Sequence, residues 1–358
     1  MVRPEADIEL PPIFCPLEPA IHPRAQEIER QADAWIKESG MCATDEEYRW
    51  VTATHSVNFY ARFAPGAADE RLLATALWVY WGFAFDDARC DSGPLSDRPG
   101  EFAALAGRVQ RAVESPTARD AGERFVPPLR RIVGRFRELG TPVQVRRFAQ
   151  AHRAWLAGVQ WQIGNEARGT VPDLDDYLAM RLLASGGEPT FAMLEIADGA
   201  EVPARELESP AVRALTEMAI LVAALDNDRH SVRKELSRGQ TGQNIYSVLM
   251  RHHGLALPQA LSAAGALRDR VLLRFLRLAP RVAAGAGAEL RAYIRDLGHG
   301  IRGNAEWGLR VPRYLSLGRA PDPFAADSSL RWAERPGDPR AAPPLTPAVS
   351  WWWDAELG

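Results

Sequence analysis

The texture of the chain is helical: Ala/Leu/Arg/Glu-rich segments alternate with short Pro/Gly breaks, and no stretch shows the apolar/polar alternation of a half-buried strand. The pattern predicts helices over Ala25–Glu38, Asp45–Phe63, Ala67–Ala88, Glu101–Val113, Gly122–Leu139, Pro142–Ile163, Asp175–Leu183, Glu188–Ile196, Pro210–Ser237, Gln243–His253, Leu257–Leu278 and Gly285–Trp307. Within the third of these, Leu72 to Phe85 is apolar apart from one Thr, one Tyr and one Gly. A segment apolar on all sides is a buried helix when, as here, it is too short to span a bilayer. A second apolar run, Met218 to Leu225, lies inside the ninth.

Both apolar runs end in oxygen ligands. Asp86 and Asp87 follow the first, with Asp91 four residues further on, on backbone expected to fray into a loop between Ala88 and Ser96. Carboxylates at the C-terminal end of a buried helix face the wrong pole of its dipole and lose hydration, so a cation is needed to compensate them. Hard divalent ions such as Mg²⁺ take one or two carboxylates and complete their shell with water and substrate phosphate oxygens. After the second run, Asn227, Ser231 and Glu235 sit at i, i+4 and i+8, one stripe of a helix. Helical side chains lean toward the N-terminus, so Glu235 can reach back and converge with the other two on one ion. Lys234 lies on nearly the same face. A solvated helix end and an ordinary polar helix face are the alternative readings of the two stretches taken singly.

Together the two stretches resemble the class I terpene synthases, the bacterial type in particular. Asp86, Asp87 and Asp91 match the family's aspartate-rich motif in its longer form, and Asn227, Asp228, Ser231, Lys234 and Glu235 match its second metal motif. Arg229 departs from the aliphatic residue usual there. Further matches follow in the family's order: Tyr177-Leu178 with Arg181, Gly303-Asn304 with Trp307, and Arg313-Tyr314; Phe14-Cys15-Pro16 with His22-Pro23 resembles the N-terminal segment of bacterial members. The resemblance covers roughly residues 10 to 318. It implies an all-α, single-domain helical bundle around an apolar cavity, with a catalytic domain over 1–320 and a Pro/Trp-rich tail over 321–358.

The resemblance also implies the chemistry: Mg²⁺-dependent ionisation of an acyclic isoprenoid diphosphate, cyclisation of the carbocation, and release of diphosphate. Three Mg²⁺ are expected on Asp86, with Asp87 or Asp91, and on Asn227, Ser231 and Glu235. Arg181, Lys234, Arg313 and Tyr314 would donate to the diphosphate, a task that suits the planar fork of Arg. Ala184-Ser185-Gly186-Gly187 would be the helix break after the sensing Arg181, with Ala184 the linker, the Ser185 carbonyl facing the substrate and Gly186 allowing the bend. Many members have a polar or acidic linker where this chain has Ala184. Phe59, Phe83 and Trp307 would wall the cavity and stabilise the cation through their ring quadrupoles, each worth about 0.5–2 kcal/mol. Family members of this length and motif form favour the C15 substrate, farnesyl diphosphate, and bulky Phe59, Phe83 and Trp307 fit that choice. Small Ala76, Gly82, Ala223 and Ala224 keep a C20 pocket for geranylgeranyl diphosphate open.

Bulk properties agree. The chain has 358 residues and a formal net charge of −3, with no basic footprint for nucleic acid. Cys15, Cys42 and Cys90 lack metal-ligand spacing, and with no signal peptide or membrane-spanning run they fit a cytoplasmic enzyme. A homodimer is left open. Asp173-Leu174-Asp175-Asp176 spells the acid motif of class II cyclases but directly precedes the Tyr177–Arg181 motif, where it reads as a helix cap. Trp351-Trp352-Trp353 is too apolar to stand exposed and should dock, capping the pocket or supporting an interface. Two competing functions share the fold. A chain-elongating prenyltransferase would carry a second aspartate-rich motif where this chain has Asn227 and Ser231. A non-catalytic binding module would have no use for carboxylates at a cavity mouth.

Overall fold

The computed structural model describes residues 9–91, 93–115, 122–237, 243–315, 332–339 and 346–357; the side chains of Asp91 and Lys234 lie outside the described residues. The helices are α1 Ala25–Ser39, α2 Asp45–Thr52, α3 Ser56–Phe63, α4 Asp69–Phe85, α5 Pro99–Glu114, α6 Val126–Leu139, α7 Pro142–Arg168, α8 Leu174–Ala184, α9 Gly187–Ala192, α10 Leu194–Asp198, α11 Ala204–Leu207, α12 Pro210–Ser237, α13 Ile245–His253, α14 Leu257–Ala284, α15 Ala288–Gly308, α16 Pro312–Leu315 and α17 Pro347–Ser350. Among the described residues the only sheet is a two-residue parallel pair, Ile13–Phe14 with Trp332–Ala333.

Local chemistry sets most boundaries as expected. Thr44 accepts from the Glu47 amide and caps α2, and Thr141 with Gln144 forms a full capping box that opens α7 beside a first-turn proline. Asp173 accepts the Asp176 amide at 2.9 Å and caps α8, so the class II look-alike is a helix start. Three expectations need correction. The segment Glu188–Ile196 is two helices, α9 and α10, interrupted at Met193. The segment Asp45–Phe63 is two helices, not one, because His55 takes a left-handed conformation with φ 47°. Beyond Phe85 the chain does not fray at Ala88; it stays helical as a π-turn over Asp86–Asp91.

The all-round apolar α4 lies in the middle of the molecule, packed by α1, α3 and α6, and α12 is flanked by α14, α15, α8 and α9. The contact of α7 with the end of α8 is unusually close. A Cβ on Gly158 would lie 2.5 Å from the Ala184 nitrogen and 2.5 Å from Leu183 Cβ. Gly158→Ala should therefore push the α8–α9 break away from α7, costing about 1–3 kcal/mol and lowering the denaturation midpoint; an unchanged midpoint would contradict this contact.

Trp352 of the tail is fully buried. Its indole donates to Glu217 on α12 at 2.9 Å, its carbonyl accepts Arg274 of α14 at 2.8 Å, and the Ala348 amide donates to Asp175 on α8 at 2.7 Å. This satisfies the indole N–H as the ring leaves water. No described residue of this segment lines the central cavity. No helix among the described residues is long and apolar enough to cross a membrane.

Candidate active site

One cavity of about 680 Å³ opens between α3, α4, α7, α8, α12 and α15. Its lining includes Phe59, Phe83, Asp86, Asp87, Arg181, Ala184, Ser185, Gly186, Asn227, Ser231, Glu235, Trp307, Arg313 and Tyr314, so residues separated by more than 200 positions meet at one site. The apolar end and the polar mouth are built differently.

The apolar wall is aromatic. Phe59 and Trp307 meet edge to face with centroids 4.9 Å apart, Phe83 stacks on Trp307 at 5.5 Å, and the Trp307 indole donates to the Thr54 carbonyl at 2.8 Å. These three rings pack on one another along one side. Trp78 and Trp155 extend the aromatic lining, while Ala184, Gly186, Gly187, Ala223 and Ala224 also face the space. Gly186 has φ 73°, the left-handed conformation that separates α8 from α9 and that a side chain would strain.

At the mouth, cationic and acidic groups are paired. Arg181 donates to Asp228 at 2.8 Å, to the Asn227 side-chain oxygen at 3.2 Å and to the Ala224 carbonyl at 3.4 Å. Tyr177 and the Ile245 amide also donate to Asp228, so its carboxylate is well satisfied although buried. Burial is the largest single influence on Arg181 and opposes its charge, but Asp228, Tyr177 and Glu235 together outweigh it and raise the pKa, leaving the guanidinium firmly charged. Arg313 forks onto both oxygens of Asp87 and lies 4.9 Å over the Phe83 ring; burial opposes its charge, but Asp87 with Tyr314 and Asp86 together outweigh burial and raise its pKa. Trp50 donates to Asp87 at 2.8 Å. Asn227 donates to the Tyr314 hydroxyl at 2.6 Å. Burial pushes the Glu235 carboxyl up to about 7, with Asn244 donating to it at 2.8 Å.

This donor set fits a hard cation beside a polyanion. Asn227 Oδ1, Ser231 Oγ and the Glu235 carboxylate lie on one stripe of α12, and a buried carboxylate is stabilised by a nearby cation. The Nε groups of Arg181 and Arg313 are buried with no hydrogen bond among the described residues, an arrangement that an anion at the mouth would complete. Among the described residues no three His, Cys, Asp or Glu side chains cluster closely enough to hold a metal by themselves. A metal held here would therefore need the side-chain oxygens of Asn227 and Ser231, and those of a bound anion, to complete its shell.

Sequence reasoning left Trp50, Asn244, Trp78 and Trp155 out of the site and gave Tyr177 and Asp228 no task. Tyr177, four residues before Arg181, shares its helix face, and that spacing was readable. Trp50 and Asn244 reach the mouth from distant segments and carried no local signal.

Residues 77–272 match the family described as terpene synthase family 2, C-terminal metal binding. The chain is 65% identical over 353 residues to spiroviolene synthase of Streptomyces violens, covering 98% of both chains. It is 33% identical to phomopsene synthase of Allokutzneria albata, covering 97% of both. It also superposes on the crystal structure of the SVS_A2 protein from ancestral sequence reconstruction with a TM-score of 0.89 and 64% identity, covering 98% of this chain and 100% of that one.

Proposed function

Since the chain belongs to the terpene synthase family, as a class I enzyme, we propose that its cavity binds an acyclic isoprenoid diphosphate, ionises it with Mg²⁺ and cyclises the allylic cation to a hydrocarbon or alcohol. One observation carries this reading: a single cavity has an aromatic wall and a mouth where oxygen ligands face two buried arginines with unpartnered Nε groups.

Asp86 and Asp87 from one side and Asn227, Ser231 and Glu235 from the other are the proposed metal ligands, with three ions expected. Bound Mg²⁺ supplies positive charge that stabilises the departing diphosphate. Arg181 and Arg313 donate to diphosphate oxygens through their unpartnered Nε–H groups and Tyr314 through its hydroxyl hydrogen, while Asp228, Asp87 and Asn227 keep holding them in place; Lys234 is proposed for the same task. Because these donors are fixed and partly desolvated, they oppose the charge that develops as the C–O bond breaks without a reorganisation penalty. The Ser185 carbonyl, at the break, would turn its negative end toward the cation. Phe59, Phe83 and Trp307 then stabilise the cation without supplying a lone pair that could react with it.

The cavity supports a C20 chain better than a C15 chain. Phe59, Phe83 and Trp307, whose bulk favours C15 in the sequence, pack against one another, Phe59 edge-on and Phe83 face-on to Trp307, and leave the remaining space open. The cavity of about 680 Å³ must hold the diphosphate and its ions at the mouth as well as the chain, and small Gly82, Ala184, Ala223 and Ala224 in its lining give the extra room that a C20 chain needs. In incubations with geranyl, farnesyl and geranylgeranyl diphosphates plus Mg²⁺, kcat/KM should be highest for the C20 substrate, by about tenfold or more over C15. A preference for farnesyl diphosphate would overturn the chain length and leave the cyclase reading standing. Product that forms only when isopentenyl diphosphate is added would replace cyclisation by chain elongation. No product at all would favour the binding module.

A further inference from the structure

We propose that His230 is a positioning residue for this reaction, a flat platform that holds Tyr314 and, through it, the Asn227 side chain; the proposal rests on the reading of Asn227 and Tyr314 given above. His230 is buried on α12, three residues after Asn227, and it is absent from the cavity lining. It therefore touches no substrate, and a role as acid or base is excluded by position.

Its contacts are shape contacts. One edge of the imidazole rests on Gly308 at the end of α15, where a Cβ would lie 2.3 Å from His230 Cδ2 and 2.4 Å from Nε2. Nε2 makes no hydrogen bond among the described residues. One face stacks on the Tyr314 ring, with centroids 5.7 Å apart and planes at 28°, and Trp307 meets the same tyrosine edge-on at 5.7 Å. Residues three apart on a helix share a side. Helix α12 thus grips Tyr314 at two points, the hydroxyl through Asn227 Nδ2 and the ring through His230.

The grip decides which atom Asn227 offers to the mouth. With Nδ2 committed to the Tyr314 hydroxyl, Oδ1 is left for Arg181 in this structure and for a hard cation when one is bound. If the tyrosine ring is free to swing, the amide loses its fixed orientation and the mouth loses a placed oxygen and a placed hydroxyl together. Gly308 belongs to the same device, because any side chain there would displace the imidazole.

The test measures binding of inorganic diphosphate in saturating Mg²⁺ by calorimetry, alongside kcat/KM, for His230→Leu and His230→Phe. The Leu variant, which keeps bulk but loses the flat face, should bind diphosphate tenfold or more weakly and lose a similar factor in kcat/KM. The Phe variant should stay within threefold of wild type in both. In a Tyr314→Leu background, His230→Leu should add less than a twofold further loss. A Leu variant within threefold of wild type in both measurements overturns the proposal. So does a Phe variant as impaired as the Leu one, or additive losses in the double variant. Should His230→Leu fail to fold, His230→Met takes its place under the same criteria. Undiminished diphosphate affinity in Tyr314→Leu alone would instead remove the underlying reading of the mouth, and the platform with it.

Discussion

Asp86→Ala, and separately the double replacement of Asn227 and Ser231 by Ala, should each abolish turnover while leaving the helical fold and its denaturation midpoint nearly intact. These side chains line the mouth of the cavity and are not part of the apolar core. Removing an oxygen ligand therefore forfeits charge stabilisation in the transition state with little change in packing. Loss of such stabilisation in a low-dielectric site costs about 3–4 kcal/mol or more, a factor of several hundred in rate. The measurement is kcat at saturating Mg²⁺ together with a thermal melt. A variant that keeps more than about a tenth of the wild-type rate, a loss of only ~1.4 kcal/mol, would remove its residues from the ligand set.

Arg181 should be nearly as sensitive, and in two separable ways. Its Nη2 donates toward Asp228, Asn227 and the Ala224 carbonyl while its Nε–H stays free for an anion, and a single ammonium cannot hold both directions at once. Arg181→Lys should lower kcat by about a hundredfold, ~2.7 kcal/mol, with a modest loss of stability because a cation still faces Asp228. Arg181→Ala leaves Asp228 buried and uncompensated, so it should also destabilise the protein by about 3–5 kcal/mol. Measuring both variants separates the roles. A Lys variant with near-normal kcat would make Arg181 a structural counter-ion to Asp228 and would pass the task of recognising diphosphate to Arg313.

The elements that were legible in the sequence are those whose cause is local. Helix α12 spans Pro210–Ser237 as the pattern predicts, and α8 begins at its Asp173 cap. The stripe of Asn227, Ser231 and Glu235 follows from helical periodicity alone, and the break after Ala184 follows from the glycine pair at Gly186 and Gly187. The division at His55 was missed because positive φ is uncommon for any residue but glycine, and histidine's modest enrichment there is too weak a signal to mark one position in the sequence. The π-turn at Asp86–Asp91 was missed for a similar reason: one extra residue in a helical turn leaves no periodic trace over six positions.

The sequence by itself determined the helical class, the order of the motifs and the chemical character of the mouth, because periodicity, capping and ligand type are properties of neighbouring residues. Tertiary structure alone decided the partners. It set Arg313 on Asp87, Trp50 on the same carboxylate, Asn244 on Glu235 and Tyr314 between His230 and Trp307. It also packed Phe59 edge-on and Phe83 face-on against Trp307 along one wall, which shapes the free volume of the cavity. Most of these pairings join different helices, from nine to more than two hundred residues apart, and no local preference encodes them. They arise when close packing of the helices leaves each buried polar group only a few partners within reach.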